Sequence, residues 1–196
     1  MKVERALVVV GSPGVGKSSI SKLLATHLKG RYINVGDLVK DEGLDSGVDR
    51  QRDTLIADVE RVAEKIAAII QEVEGYVVVE GHFAMDVVSE EDVLFAFVLR
   101  RSPDELREVL EQRKYVKEKI AENVAAEILD VCLFDAVQAY QESKVHEIDV
   151  SGKKPENVVS EIIDVIQGHR KPRKGIVDWL MQLELKGRLD EFLESI

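Results

Sequence analysis

Short, almost continuously apolar runs alternate along the chain with longer segments in which apolar residues recur every three or four positions. The runs cover residues 6–10, 32–35, 76–80, 93–99 and 146–150 and are rich in Val, Ile, Leu and Phe. Runs of this kind are typical of strands that are buried on both faces of a sheet. Their alternation with helices indicates βαβ units. We therefore expect an α/β protein with a five-stranded parallel sheet flanked by helices.

The segments between these runs show helical spacing. Apolar stripes predict helices over residues 20–28, 56–73 and about 118–142. A further helix is expected from 103 to about 112, because the sequence Ser-Pro-Asp-Glu at 102–105 combines a capping residue with proline at the first helical position.

The composition changes after residue 168. Residues 169–175 contain four Lys or Arg residues and Pro172, which predicts a basic linker that ends the preceding helix. Residues 176–196 carry apolar positions at helical spacing and predict one C-terminal amphipathic helix, which either packs back on the domain or serves as a partner surface. The catalytic domain is therefore expected within residues 1–168.

Composition and charge narrow the function classes. Of 196 residues, 45% are hydrophobic and 33% are charged, the balance of a globular domain with a sizeable core. The net charge of −10 disfavours duplex nucleic acid as a direct partner and favours a basic protein. The single cysteine, Cys132, allows no internal disulfide. Since neither a signal sequence nor a membrane span is recognised, we expect a cytoplasmic protein.

The strongest chemical signal is the sequence Gly-Ser-Pro-Gly-Val-Gly-Lys-Ser at residues 11–18, which matches the phosphate-binding pattern G-x-x-x-x-G-K-[ST] between a strand and a helix. Its backbone amides and the helix dipole favour phosphate oxygens. Lys17 is expected to reach the β and γ phosphates, and the Ser18 hydroxyl to bind Mg²⁺. The residues predicted to bind ATP here are Gly11, Ser12, Pro13, Gly14, Val15, Gly16, Lys17, Ser18 and Ser19.

ATP is favoured over GTP because no N-K-x-D sequence follows in the later part of the chain. A kinase also needs a pocket for the phosphate acceptor, and open α/β sheets place ligands at the carboxyl ends of their strands. Asn34, Gly36 and Asp37 stand at the end of the second predicted strand. The polar stretch 39–53 that follows has the character of a flap over this acceptor site.

Glu80 and His82 follow the third predicted strand. The position of Glu80 at a strand end suits a carboxylate that orients Mg²⁺ and its water molecules. The histidine beside it is a candidate for positioning a water molecule or the acceptor.

Arg113 occupies the short connection between two predicted helices and is the candidate lid arginine, which would move onto the phosphates as charge develops. The turn after the fifth strand is a weaker candidate, for contact with the adenine edge. Its residues are Ser151, Gly152 and Lys153.

Together these residues resemble the family of adenylate kinase isoenzyme 6 and its archaeal relatives. The resemblance covers residues 4–167 and includes the phosphate loop, residues 31–38, Glu80 with His82, and residues 98–100. A further mark is Arg-x-Tyr at 113–115, followed by the acidic and amide residues Glu122, Asn123 and Glu127.

The resemblance implies phosphorylation of AMP by ATP with broad nucleotide tolerance, together with an ATPase role in rRNA processing and maturation of the small ribosomal subunit. It implies an acceptor region at residues 34–57, a lid at 112–122, and the small-subunit ribosomal protein uS11 as partner. Lys40 belongs to this acceptor region and stands where an arginine is common in the family. Glu80 replaces the usual aspartate, and Lys114 replaces a lid glycine.

Two alternatives remain at the level of sequence. The same fold phosphorylates non-nucleotide metabolites, and the acceptor segment is the least diagnostic part of the pattern. The other alternative is an assembly factor that is switched by ATP and whose kinase turnover is incidental.

Overall fold

A computed structural model describes residues 5–49 and 54–193. The strands in this part of the chain are β1 (Ala6–Val10), β2 (Arg31–Asn34), β3 (Asp45–Asp49), β4 (Thr54–Ala57), β5 (Val77–Glu80), β6 (Val93–Arg100) and β7 (Val145–Asp149). The helices are α1 (Lys17–Leu28), α2 (Val35–Glu42), α3 (Val59–Glu72), α4 (Ala84–Val87), α5 (Pro103–Gln112), α6 (Lys117–Ile128), α7 (Val131–Ala139), α8 (Pro155–Ile166), α9 (Trp179–Leu185) and α10 (Asp190–Leu193). Residues 1–4, 50–53 and 194–196, which fall within the predicted domain, acceptor region and C-terminal helix, lie outside the described residues.

Five strands form one parallel sheet in the order β2-β5-β1-β6-β7, which confirms the predicted fold class. Strand β1 is central, and Val8 pairs with Val79 on one side and Ala96 on the other. The five predicted runs correspond to these strands within one or two residues at each end. Strands β3 and β4 form a separate antiparallel ribbon.

Both faces of the sheet are covered, as the continuous apolar runs predicted. Leu7 and Val9 of β1 belong to one buried cluster, which α1, α5, α6 and α8 complete. The alternate residues of β1 belong to the cluster on the opposite face, with α3 and α7. The loops at the carboxyl ends of β1, β2 and β5 are therefore held at one edge by a rigid support.

Two predicted helices differ from the structure. Residues 54–57 pair with β3 as strand β4, so the helix predicted from 56 begins at Val59, after the Asp58 side chain accepts a hydrogen bond from the Arg61 amide. The single helix expected over 118–142 is divided into α6 and α7 at Asp130, whose φ of 57° is left-handed. Asp130 adopts it while its carboxylate pairs with Arg100.

The continuous helix predicted for 176–196 is also wrong. Residues 171–178 have no regular structure. Helix α9 begins at Trp179, where the carboxylate of Asp178 caps it by accepting a hydrogen bond from the Met181 amide. The turn after α9 contains Gly187, whose φ is 63°. The segment packs back on the domain, because Trp179, Leu183 and Phe192 belong to the same cluster as α1. Within residues 5–49 and 54–193, no helix is long and apolar enough to cross a membrane.

Candidate functional site

The phosphate loop, residues 11–18, connects β1 to α1 and has a backbone that its glycines make possible. Gly11, Gly14 and Gly16 have φ values of 141°, 96° and 106°, in the region that favours glycine. A Cβ atom at Gly11 would lie 2.4 Å from the backbone oxygen of Leu99. The loop therefore requires glycine both for its curvature and for its close approach to β6.

Lys17, the first residue of α1, folds back over this loop. Its Nζ donates to the backbone oxygens of Gly11 at 2.7 Å and Ser12 at 3.0 Å. Burial lowers the pKa of Lys17, while the carboxylates of Glu80 and Glu127 oppose that shift. The amine is thus held at the mouth of the phosphate cradle, beside carboxylates from two other elements.

The structure brings Arg113 to the phosphate loop. A cavity of about 140 Å³ is lined by loop residues 13, 14 and 16–19 together with Arg113 and Tyr115. Arg113 and Lys114 form the turn that follows α5, and Lys114 has a left-handed φ of 59°. The predicted lid at 112–122 therefore consists of this short turn and the first residues of α6.

Glu80 is buried at the end of β5, next to both β1 and β2. Its Oε1 accepts from the Tyr32 hydroxyl at 2.9 Å and from Asn34 Nδ2 at 2.6 Å. Burial and the hydrogen bond to Glu80 raise the pKa of Tyr32, so the hydroxyl remains a donor at neutral pH. Asn34 also caps α2, since its Oδ1 accepts from the Asp37 amide at 2.9 Å.

Several predicted acceptor residues line one cavity of about 270 Å³. Gly36 and Lys40 from α2 face His82 and Phe83 across it, and Leu55 contributes from the ribbon. The lining does not include Asn34 or Asp37, which lie at the start of α2. Desolvation and the charge of Lys17 lower the pKa of His82, so its imidazole is neutral at pH 7.

The residues predicted to contact the adenine, in the turn after β7, form hydrogen bonds and an ion pair with other side chains and backbone groups of the protein. Ser151 Oγ donates to Asp149 at 2.6 Å and accepts from the Ser102 amide at 2.8 Å. The amide of Gly152 donates to Glu105 at 3.3 Å, and Lys153 pairs with Glu161 on α8. These contacts tie the turn after β7 to the start of α5, and an adenine contact there stays a prediction.

Sequence reasoning named Glu127 only as a mark of the resemblance and gave it no place at the phosphate loop, although it lies there, 1% exposed, on α6. Ser12 Oγ of the phosphate loop donates to Glu127 Oε2 at 2.7 Å, and Arg100 Nε donates to Oε1 at 2.7 Å. Arg100 also pairs with Glu147 on β7, at 2.5 Å. The available signal was a carboxylate on the apolar stripe of α6, next to Ile128.

The side chains at the phosphate loop bear on how magnesium would be held. Among the residues whose structure is described, His, Cys, Asp and Glu form no cluster of three or more that could hold a metal ion. Magnesium bound with ATP takes most ligands from phosphates and water and needs only one or two from the protein. The exposed Ser18 hydroxyl at the start of α1 and the Glu80 carboxylate are hard oxygen donors that fit this requirement.

Comparison with known proteins adds the family context. The sequence profile of the AAA domain matches residues 7–130. A protein from Methanocaldococcus jannaschii named "Putative adenylate kinase" is 38% identical over 173 residues, which cover 88% of this chain and 92% of that protein. A protein of the same name from Thermococcus kodakarensis is 38% identical over 174 residues, with coverage of 88% and 92%.

Solved structures support the fold alone, because their identities are low. Shikimate kinase from Acinetobacter baumannii, in complex with shikimate, matches with a TM-score of 0.61 at 11% identity, covering 86% of this chain and 96% of that one. A gluconokinase from Sinorhizobium meliloti 1021 matches with a TM-score of 0.51 at 18% identity, covering 86% and 95%. The architecture is therefore that of P-loop kinases.

Proposed function

The chain belongs to the AAA domain family and to the family of these archaeal relatives, and we propose that it is a nucleoside monophosphate kinase that transfers the γ-phosphoryl group of ATP to AMP. The observation that carries the proposal is the placement of two cavities at one edge of the sheet. One contains the phosphate loop with Arg113, and the other contains Lys40 and His82. His82 lies near enough to Lys17 for the amine to lower the histidine pKa.

In this proposal the phosphate loop and Lys17 hold the β and γ phosphates of ATP. The phosphate of AMP lies between Lys40 and His82, and one of its oxygens attacks the γ phosphorus while the bond to the β-phosphate oxygen breaks. Arg113 stabilises the charge that spreads over the transferred group. When bound with ATP, Mg²⁺ would supply further charge neutralisation. Ser18 would hold the ion, and Glu80 would contact either the ion or the water molecules bound to it.

ATP hydrolysis is the second candidate function, and the observation that favours it is the exposed His82 beside the acceptor cavity. Because its imidazole is neutral at pH 7, it can accept a hydrogen bond from a water molecule that replaces the acceptor. On the sequence resemblance, this activity would serve small-subunit maturation in the cytoplasm. The net charge of −10 suits a basic partner such as uS11 rather than bare rRNA.

The test is an acceptor panel with Mg²⁺ and ATP: AMP, other nucleoside monophosphates, shikimate, gluconate and water alone. We expect ADP formation to be fastest with AMP, and Lys17→Ala to reduce it about 10²- to 10³-fold. Lys65→Ala, at an exposed cation that pairs with Glu42, is the matched control and should keep its rate. Transfer to a sugar acid but not to AMP would overturn the proposal.

The partner is tested separately, by titrating the protein with isolated uS11 and with isolated small-subunit rRNA at several salt concentrations. We expect binding to the basic protein that weakens with salt. Tight binding to the RNA alone, lost on neutralising Arg170, Lys171, Arg173 and Lys174, would contradict this choice of partner.

A further inference from the structure

The C-terminal segment, residues 170–193, is fastened to the catalytic domain at two places. Near its start, the backbone oxygen of Arg173 accepts from the Glu147 amide at 2.9 Å, and the Ile176 amide donates to Glu147 Oε2 at 2.8 Å. Near its end, Arg188 makes two hydrogen bonds of 2.9 Å to Asp104 on α5. Trp179 lies between these two contacts along the chain. Because the segment is already held in place, the Trp179 side chain loses little conformational entropy when it forms a hydrogen bond.

That contact reaches the carboxylate behind the phosphate loop. The indole Nε1 of Trp179 donates to Glu127 Oε1 at 3.3 Å, and Trp179 is 6% exposed. The same oxygen accepts from Arg100 Nε and from the Arg101 amide at 3.1 Å. Three donors therefore converge on Oε1 and leave Oε2 directed to the Ser12 hydroxyl.

The path continues into the ATP site. Ser12 lies inside the phosphate loop, and its backbone oxygen accepts from Lys17 Nζ at 3.0 Å. Rotation of the Glu127 carboxylate would weaken the hold on Ser12 and with it the preorganised curvature of the loop. Buried hydrogen bonds to an ionised group are strong and directional, so the bond from Trp179 helps to fix the orientation of the Glu127 carboxylate.

We infer that Trp179 is a positioning residue of the ATP site, which acts through Glu127 on Ser12 and so makes the C-terminal segment part of the nucleotide-binding machinery. This inference rests on the proposed function only in requiring ATP at the phosphate loop. It assigns a role to a segment outside residues 7–130, the part of the chain that the AAA domain profile matches.

The test is Trp179→Phe, which keeps an aromatic ring in the core and removes the N–H donor. We expect the Kd for ATP and the KM for ATP to rise about threefold to tenfold, while kcat and the KM for AMP stay within about twofold. Lys174→Gln is the control: it removes an exposed contact of the same segment, to Glu142, and should leave the ATP Kd unchanged. A lower kcat with an unchanged ATP Kd would indicate a smaller active fraction and overturn the inference.

A double-mutant cycle on the ATP Kd separates positioning from general destabilisation. If Trp179 acts through Ser12, adding Trp179→Phe to Ser12→Ala should weaken ATP binding less than it does in the wild type. Full additivity would overturn the inference. Since binding is measured by calorimetry without an acceptor, failure to phosphorylate AMP would count against the proposed function alone.

Wild-type protein supplies a third measurement, because Trp179 is the single tryptophan of the chain. The fluorescence emission of Trp179 should change when the protein is saturated with Mg²⁺ and ATP. In Ser12→Ala at saturating ATP, this change in emission should be smaller than in the wild type. Unchanged emission in the wild type at saturating ATP would contradict the coupling.

Discussion

The nucleotide side and the acceptor side of the site are built in different ways. Behind the phosphate loop, Arg100, Glu127 and Glu147 are all 1% exposed or less, and both carboxylates pair with Arg100. On the acceptor side, the β3–β4 ribbon leaves Leu55 and Ile56 39% and 49% exposed. Leu55 nevertheless lines the acceptor cavity.

In the proposed function, this difference follows from the task of each side. Stabilising a phosphoryl group in transfer requires dipoles and charges already in place, since reorganising them during the reaction would raise the barrier. An acceptor has to enter and leave. Apolar surface such as that of Leu55 is therefore removed from water only while the acceptor is bound. The comparison predicts that damage on the nucleotide side costs stability and turnover, while damage on the acceptor side alters the choice of acceptor.

The largest expected effect comes from breaking the buried charge network. Arg100→Met leaves Glu127 and Glu147 without their main partner, which should lower the free energy of unfolding by about 3–5 kcal/mol. Urea unfolding measures it, with Arg100→Lys retaining part of the stability. Lys65→Met breaks an exposed pair with Glu42 of α2, the helix that carries Lys40, and should cost less than about 1 kcal/mol. Similar losses for Arg100→Met and Lys65→Met would remove the contrast between the two sides.

The next effect concerns turnover. Arg113→Ala removes a cation that lines the phosphate-loop cavity, and we expect kcat to fall at least about 10²-fold because the charge is needed mainly in the transition state. The Kd for ATP, measured by calorimetry, should change much less. Lys65→Ala, at the exposed cation that pairs with Glu42, is the control. Weakened ATP binding with an unchanged kcat would contradict a lid role.

A smaller effect is expected on the acceptor side, at His82. His82→Ala should reduce ATP hydrolysis at least about tenfold and transfer to AMP far less, since AMP brings its own nucleophile. Both rates are read from one coupled assay, with and without AMP. Equal losses would assign His82 a role common to both reactions, such as supporting the neighbouring Glu80.

The smallest effect is the pH dependence of stability that comes from Glu161, whose partner Arg170 begins the C-terminal segment. The His146 imidazole, 3.9 Å from the carboxylate, and the Lys153 and Arg170 cations lower the pKa of Glu161 to about 2. A depressed carboxyl pKa stabilises the fold above the ordinary value of 4.5, and the stabilisation is lost as pH falls towards 2. Each partly exposed pair contributes less than about 1 kcal/mol.

Urea unfolding between pH 2 and 7 measures this effect as the stability difference between wild type and Glu161→Gln. We expect the difference to shrink as the pH falls below about 4.5. Glu108→Gln, at an exposed position in the middle of α5, should show a difference near zero throughout. A difference for Glu161→Gln that does not vary with pH would contradict the stated origin of the pKa.

Local patterns were sufficient wherever the relevant residues are contiguous. The apolar runs identified the five sheet strands, since a strand buried on both faces leaves a continuous signature. The phosphate loop is contiguous too, and its glycines are required by backbone angles within the loop itself. The helix over 118–142 failed because Asp130 takes a left-handed conformation and pairs with Arg100, 30 residues earlier in the chain.

The sequence by itself therefore determined the parallel sheet, the phosphate loop and Lys17, because strand burial and phosphate binding depend on neighbouring residues. Only the tertiary structure decided that Arg113 faces the loop, that Lys40 and His82 share a cavity, and that Trp179 contacts Glu127. Ser12 and Glu127 are 115 residues apart along the chain. Their contact exists because the packing of α6 against the sheet brings a carboxylate from an apolar stripe to the loop, and no periodicity in either segment encodes that distance.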